Sequence, residues 1–178
     1  MKPKALNLTM TALFAVIICI CSMLSIPAAI PFTMQTFAVF LALFMLGGKY
    51  GTLSITVYIL LGITGLPVFH NFTGGIGILM GSTGGFILGF ILCGAVYLLM
   101  TRPISKKPFF KLISAFTGLV VCYITGTLWF VFTSSQGAGF AAALLTCVVP
   151  FIVPDAVKIL LAYFISQKLS KVTRLNAN

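Results

Sequence analysis

Two charged residues lie inside an otherwise apolar stretch near the carboxyl end of the chain. Asp155 is the only acidic residue, and Lys158 follows three positions later, with apolar sequence at 141–149 and 159–165. On a helix, side chains three positions apart project from neighbouring points of one face. A lone charge at the centre of a membrane helix costs about 2.5–3.5 kcal/mol, and two opposite charges at this spacing can offset each other. The pair is either a structural ion pair or part of a substrate or ion path; we favour the second, because ionisable groups within a membrane usually mark such paths.

The composition around this pair is that of a membrane protein with several spans. Mean hydropathy is +1.19, and 60% of the residues are hydrophobic while 7% are charged. A soluble domain needs far more surface charge, and 178 residues accommodate about six spans of ~20 residues. The net charge of +10 does not indicate nucleic-acid binding, because the basic residues flank apolar spans and form no patch with interleaved aromatics. The five cysteines are scattered in apolar stretches, so we expect buried thiols and no disulfide framework.

The apolar runs divide the chain into elements that position the charged pair. Because Pro154 suits the first position of a helix, we expect the last run to be broken at 150–154, with Asp155 in the first turn of the resumed helix. The spans are predicted at 6–26, 32–46, 50–64, 84–101 and 112–133, followed by a final stretch that ends near 166.

Basic residues alternate between the connections and predict the orientation. Ten of the eleven lie in the two terminal segments, at Lys49, and between 102 and 111, whereas the loops at 27–31, 65–82 and 134–139 carry none. By the positive-inside rule both termini are cytoplasmic, which agrees with an even number of spans, namely six. Asp155 lies 13 residues before Lys168, which places it roughly 10 Å below the outer surface of a hydrocarbon layer ~30 Å thick.

A glycine-rich segment between the third and fourth spans is long for a connection and still apolar. Nine of the 17 glycines fall between 62 and 89, which suggests a loop that packs back onto the protein as an outer cap. We favour a cap that also binds ligand, since Asn71 offers an amide donor and acceptor, and Phe69 and Phe72 could wall a flat molecule. His70, without carboxylate or thiol neighbours, is interpreted as a packed aromatic and not a metal ligand. Gly81, Gly85 and Gly89 have the spacing that lets helices approach closely.

No pattern typical of catalysis is present. The chain has no GxSxG, no HExxH and no paired carboxylates, and Gly48-Lys49-Tyr50 lacks the rest of a phosphate-binding loop. We therefore expect no catalytic residue, no metal, no cofactor and no enzyme activity. If ATP energises transport, another subunit must bind it.

Four motifs occur in order along nearly the whole chain. They are Pro31-Phe32-Thr33-Met34-Gln35-Thr36-Phe37, Gly62-Ile63-Thr64-Gly65-Leu66-Pro67-Val68-Phe69, Gly81-Ser82-Thr83-Gly84-Gly85-Phe86, and Pro150-Phe151 with Asp155 and Lys158. Together these motifs resemble the BioY family, the biotin-specific S components of energy-coupling factor (ECF) transporters. The family usually has proline where Ser82 stands, and Pro-Gly where Val153 and Pro154 stand.

The resemblance implies an all-α bundle of six transmembrane helices in a bacterial cytoplasmic membrane, with substrate held near the outer face. It implies two kinds of partner, a transmembrane coupling subunit and two cytoplasmic ATPases, although some members work without a full module. A small-residue stripe on the first helix is the usual contact with the coupling subunit, and Thr11 and Ala15 match it here. The candidate biotin contacts are Asp155, Lys158, Asn71, Gln35, Phe69 and Phe72.

The chemistry of these residues suits biotin, which carries a ureido ring with two N–H donors at one end and a carboxylate at the other. Asp155 can accept ureido hydrogen bonds, and Asn71 can serve the same ring. Lys158 either pairs with the carboxylate of biotin or keeps Asp155 ionised, and both assignments stay open. Two other functions remain: an ion-coupled carrier with Asp155 as the protonating group, although no internal repeat is present, and a structural membrane protein without substrate.

Overall fold

The structure, a computed structural model, describes residues 3–26, 31–104, 108–133 and 139–173. This part of the chain is mostly helical, as predicted, and five of its helices are long and apolar enough to cross a membrane, over Lys4–Met23, Gln35–Ile63, Gly84–Thr101, Phe109–Thr133 and Val149–Ser170. A two-stranded antiparallel ribbon and a single 3-10 turn at His70–Phe72 complete it. The elements are α1 (Pro3–Met23), β1 (Ser25–Ile26), β2 (Phe32–Thr33), α2 (Gln35–Ile63), α3 (Ile76–Met80), α4 (Gly84–Ile104), α5 (Pro108–Thr133), α6 (Phe140–Cys147) and α7 (Val149–Thr173).

Helix α2 is folded back on itself at Gly47. The backbone there has φ 73° and ψ 173°, a left-handed conformation that glycine adopts without steric cost. A Cβ on Gly51 would lie 2.9 Å from Leu43 Cα, although residues eight positions apart in a straight helix are separated by about 12 Å. The limbs 35–46 and 48–63 are therefore antiparallel neighbours, and they correspond to the two short spans predicted at 32–46 and 50–64.

The first limb of α2 is the central element of the bundle. Every residue from Ala38 to Met45 is buried, as expected for a helix that is apolar all round. Phe44 makes edge-on ring contacts with Tyr97 of α4 at 5.9 Å and with Tyr163 of α7 at 5.5 Å. The limb thus packs against both α4 and α7.

Helices α4 and α5 pack closely through glycines, which confirms the predicted role of Gly85 and Gly89. A Cβ on Gly89 would lie 2.7 Å from Thr125 Oγ1, and one on Gly85 would overlap Trp129. Gly81 lies before α4 and acts differently, since its carbonyl accepts a 3.0 Å hydrogen bond from Trp129 Nε1.

The last apolar stretch is broken at Val148, and the predicted break at 150–154 is wrong. Val148 has φ −121° and ψ −53°, and its carbonyl accepts the first hydrogen bonds of α7, from Phe151 N at 2.9 Å and Ile152 N at 3.2 Å. Pro150 is the second residue of α7, where a missing N–H has no helical partner to lose. Pro154 lies inside the helix, so Asp155 belongs to the second turn and not to the first.

Candidate functional site

The two charged residues of α7 form a buried ion pair. Lys158 Nζ lies 2.8 Å from Asp155 Oδ1, and the two residues are 5% and 4% exposed. The three-residue spacing on a helix brings the groups together, as the sequence predicted. The pair is neutral as a unit, which lowers the cost of placing each charge in an apolar bundle.

Lys158 also ties α7 to the ribbon. Its ammonium donates a 2.8 Å hydrogen bond to the carbonyl of Thr33 and lies 4.0 Å from the centre of the Phe32 ring. An ammonium has three N–H donors, and Lys158 has three partners within its own chain: Asp155, Thr33 and the Phe32 ring.

Tyr123 is the second partner of the carboxylate, and the sequence did not single it out. The phenol of Tyr123, on α5, donates a 2.8 Å hydrogen bond to Asp155 Oδ2. The residue lies 32 positions from Asp155, so no local spacing relates the two. The one signal in the sequence was a tyrosine inside an apolar span, because the hydroxyl of a buried tyrosine usually requires a hydrogen-bond partner.

These groups line a cavity between the ribbon, the start of α2, the helices α4, α5, α6 and α7, and the loop at 65–82, which is called the outer loop after its predicted side of the membrane. It encloses about 610 Å³ of space, counting the solvent in its open mouth. Mostly apolar walls with a few convergent polar groups are typical of small-molecule sites. Phe151 of the wall also stacks on Phe32 at 5.9 Å. The lining residues are Pro31, Thr33, Gln35, Thr36, His70, Thr83, Phe86, Ile87, Phe90, Leu119, Cys122, Tyr123, Cys147, Phe151, Asp155 and Lys158.

Three of the six predicted substrate contacts line this cavity, namely Asp155, Lys158 and Gln35. Gln35 is the first residue of α2 and is 7% exposed. Its Nε2 donates a 3.1 Å hydrogen bond to Tyr58 Oη on the second limb of the same helix. Its position agrees with the predicted role, which no contact with a ligand has tested.

The other three predicted contacts lie in the outer loop and do not line the cavity. Phe69 is fully buried and packs edge-on against Tyr58 at 5.6 Å. Phe72 is 68% exposed. Asn71 is exposed in a left-handed conformation with φ 52°, and its Oδ1 accepts a 3.0 Å hydrogen bond from Ser25 Oγ. Their roles in binding stay predictions.

His70 reaches the cavity from the same loop. It is half-buried among the lining residues, and burial lowers the pKa of its imidazole, which favours the neutral ring at neutral pH. A neutral imidazole adds one donor and one acceptor to the lining of the cavity.

The stripe predicted to contact a coupling subunit faces inward. Thr11 and Ala15 are 3% and 1% exposed, and Ser54 Oγ of α2 donates a 3.0 Å hydrogen bond to the carbonyl of Thr11. The small residues let α2 approach α1 within this chain. The outward face of α1 carries other residues, among them Ala12 and Val16, which are exposed.

Comparison with known proteins agrees with this architecture. The model of the BioY family matches residues 1–175. The chain belongs to the BioY family. A "Biotin transporter BioY" of Thermotoga maritima is 39% identical to this BioY-family chain over 93% of the chain and 96% of the relative. A "Biotin transporter BioY2" of Lactococcus lactis is 36% identical over 89% of the chain and 86% of the relative.

A solved structure has the same fold. The crystal structure at 2.1 Å of "the S-component for biotin from an ECF-type ABC transporter" superposes with a TM-score of 0.81 at 28% identity. The match covers 94% of this BioY-family chain and 92% of that protein. Together with the five long apolar helices, it identifies the chain as a multi-pass protein of the cell membrane.

Proposed function

We propose that this BioY-family chain is the biotin-binding S component of an ECF-type transporter and takes up biotin through the cavity beside Asp155. The observation that carries the proposal is the buried Asp155–Lys158 pair in the wall of an otherwise mostly apolar cavity. Relatives named as biotin transporters match nearly the whole chain, so the proposed role applies to the whole molecule and not to one part of it. The chain is a transport subunit and not an enzyme.

The ureido ring of biotin is assigned to the Asp155 end of the cavity. Each carboxylate oxygen accepts one hydrogen bond, from Lys158 or from Tyr123, and keeps a further acceptor position for a ureido N–H. Because Lys158 already contacts Asp155, Thr33 and Phe32, its role is to hold Asp155 in place as its counter-charge and not to bind the biotin carboxylate. The bicycle and its chain lie against the apolar walls.

Six spans with both termini in the cytoplasm are the topology we propose. The two limbs of α2 count as separate spans, which brings the five long helices to six crossings. At 12 and 16 residues, they extend about 18 and 24 Å, less than the ~30 Å of a hydrocarbon core. The uncharged loops then lie outside, and the open cavity faces the source of biotin.

ATP hydrolysis is assigned to partners, a transmembrane coupling subunit and two cytoplasmic ATPases, since the sequence has no nucleotide-binding motif. We assign the coupling contact to the exposed face of α1 formed by Thr9, Ala12 and Val16. Thr9 and Ala12 are small residues one helical turn apart, and small residues on one face let another helix approach closely.

Calorimetry on the purified protein tests the proposed function. In nucleotide-free buffer, biotin should bind with one site per chain, and native mass spectrometry should show the same added mass. Riboflavin, a vitamin without a ureido ring fused to a thioether ring, serves as the control and should give no heat. Absence of biotin binding would overturn the proposal. In cells, uptake that follows the proton gradient and is independent of ATP would instead favour the ion-coupled carrier.

A further inference from the structure

A chain of buried polar groups connects the outer loop to the cavity. Gln35 lines the cavity and donates to Tyr58 Oη at 3.1 Å. Tyr58 is 1% exposed, and its phenol lies beside the hydroxyl of Ser22 on α1. Ser22 is fully buried, and its Oγ also donates to the carbonyl of Val68 in the outer loop. We call Gln35, Tyr58, Ser22 and Val68 the Tyr58 relay.

The outer loop also contacts Tyr58 through apolar packing. The ring of Phe69 meets the ring of Tyr58 at 5.6 Å and 85°. Gly62, one helical turn after Tyr58, leaves the space for this ring, because a Cβ on Gly62 would overlap Phe69. Tyr58 therefore contacts the loop residue Phe69 directly and is linked to the preceding residue, Val68, through Ser22.

The side-chain amide of Gln35 is held at its nitrogen by Tyr58. Its Nε2 donates a hydrogen bond to Tyr58 Oη, and within the described residues no donor reaches its Oε1. An amide fixed through its nitrogen presents its oxygen as an acceptor. A ureido ring has two N–H donors, and Gln35 lines the same cavity as Asp155.

We propose that Tyr58 is a positioning residue that couples the outer loop to Gln35, and that Gln35 Oε1 accepts a hydrogen bond from a ureido N–H of biotin. The inference rests on the proposed function and adds to it. The loop residue Phe69 acts through Tyr58 without touching the ligand. The position of the loop and the orientation of Gln35 are then coupled, so biotin bound at Gln35 also stabilises the loop.

Three substitutions, two of them also combined, test the relay by calorimetry with biotin. Tyr58→Phe keeps the ring and removes the hydroxyl, and should weaken binding about 3- to 10-fold, the range of one hydrogen bond. Tyr97→Phe is the matched control, since Tyr97 is equally buried, lies on α4 and does not line the cavity; its affinity should stay within about twofold of the wild type. In a Gln35→Met background, Tyr58→Phe should add less than about a twofold loss, because Tyr58 acts through Gln35.

Hydrogen exchange distinguishes a positioning role of Tyr58 from a purely structural one. Biotin should slow exchange of the amides between 66 and 73 in the wild type, and Tyr58→Phe should remove most of that slowing. A purely structural Tyr58 would speed exchange equally with and without biotin. Should Tyr58→Phe fail to fold, Ser22→Ala interrupts the relay at its other end and should act in the same direction.

Two results would overturn the relay while leaving the proposed function intact. One is a biotin affinity of Tyr58→Phe equal to that of Tyr97→Phe. The other is the same loss from Tyr58→Phe with and without Gln35. A wild-type chain that does not bind biotin would overturn both the relay and the proposed function.

Discussion

The phenol of Tyr123 donates a 2.8 Å hydrogen bond to Asp155 Oδ2 and joins α5 to α7 across the wall of the cavity. The other carboxylate oxygen is held by Lys158 at the same distance. With one donor on each oxygen, from two different helices, the plane of the carboxylate is set before any ligand arrives. Such preorganisation lowers the entropic cost of binding.

Removing the hydroxyl of Tyr123 should weaken biotin binding without abolishing it. Tyr123→Phe keeps the ring and loses one charge-assisted hydrogen bond, so we expect an affinity about 10- to 100-fold lower by calorimetry. Tyr163→Phe is the control, because Tyr163 packs against Phe44 and does not line the cavity. Equal affinities of the two variants would show that Tyr123 only holds the helices together.

Asp155 itself should have the larger effect. Asp155→Asn replaces an acceptor by a donor that faces a ureido N–H, which should cost about 2–4 kcal/mol, or roughly 30- to 1,000-fold in affinity. Lys158 would lose its counter-charge and keep only Thr33 and Phe32, so the unfolding temperature should fall as well.

The double change Asp155→Asn, Lys158→Met distinguishes a binding site from a structural ion pair. With both charges removed, stability measured by thermal unfolding should recover, whereas biotin affinity should not. Near-normal affinity in a stable double variant would remove Asp155 from the binding site.

Orientation is accessible to thiol labelling. In a background with the five cysteines replaced by alanine, Gly77→Cys and Gly139→Cys should react with an impermeant reagent on intact cells, and Lys106→Cys should not. No heavy atom lies within 4 Å of a Cβ at either glycine, so both substitutions fit. Labelling all three after permeabilisation is the control. The opposite pattern on intact cells would invert the topology.

Contact with the coupling subunit should be lost when the exposed face of α1 is blocked. Ala12→Trp places a large ring on this face, so we expect unchanged biotin affinity and loss of co-purification with the subunit. Ala15→Trp is the comparison: at 1% exposure the ring has no room, and overpacking of about 1–3 kcal/mol or more should lower the unfolding temperature. Full co-purification of Ala12→Trp would exclude this face.

Local features of the sequence determined much of this protein. Apolar runs of membrane length must satisfy their backbone hydrogen bonds internally, which makes helices the outcome. The Asp155–Lys158 pair follows from three-residue spacing on any helix. The turn at Gly47 was also signalled locally, by a glycine pair and a lysine that end an apolar run.

Only the tertiary structure decided which residues meet across helices. Tyr123 and Asp155 are 32 positions apart, and Gln35 and Tyr58 are 23 apart, so no periodicity connects them. The inward direction of Thr11 and Ala15 was equally hidden. In a membrane the lipid is as apolar as the protein interior, and the pattern of apolar residues therefore does not distinguish the buried face of a helix from the exposed one.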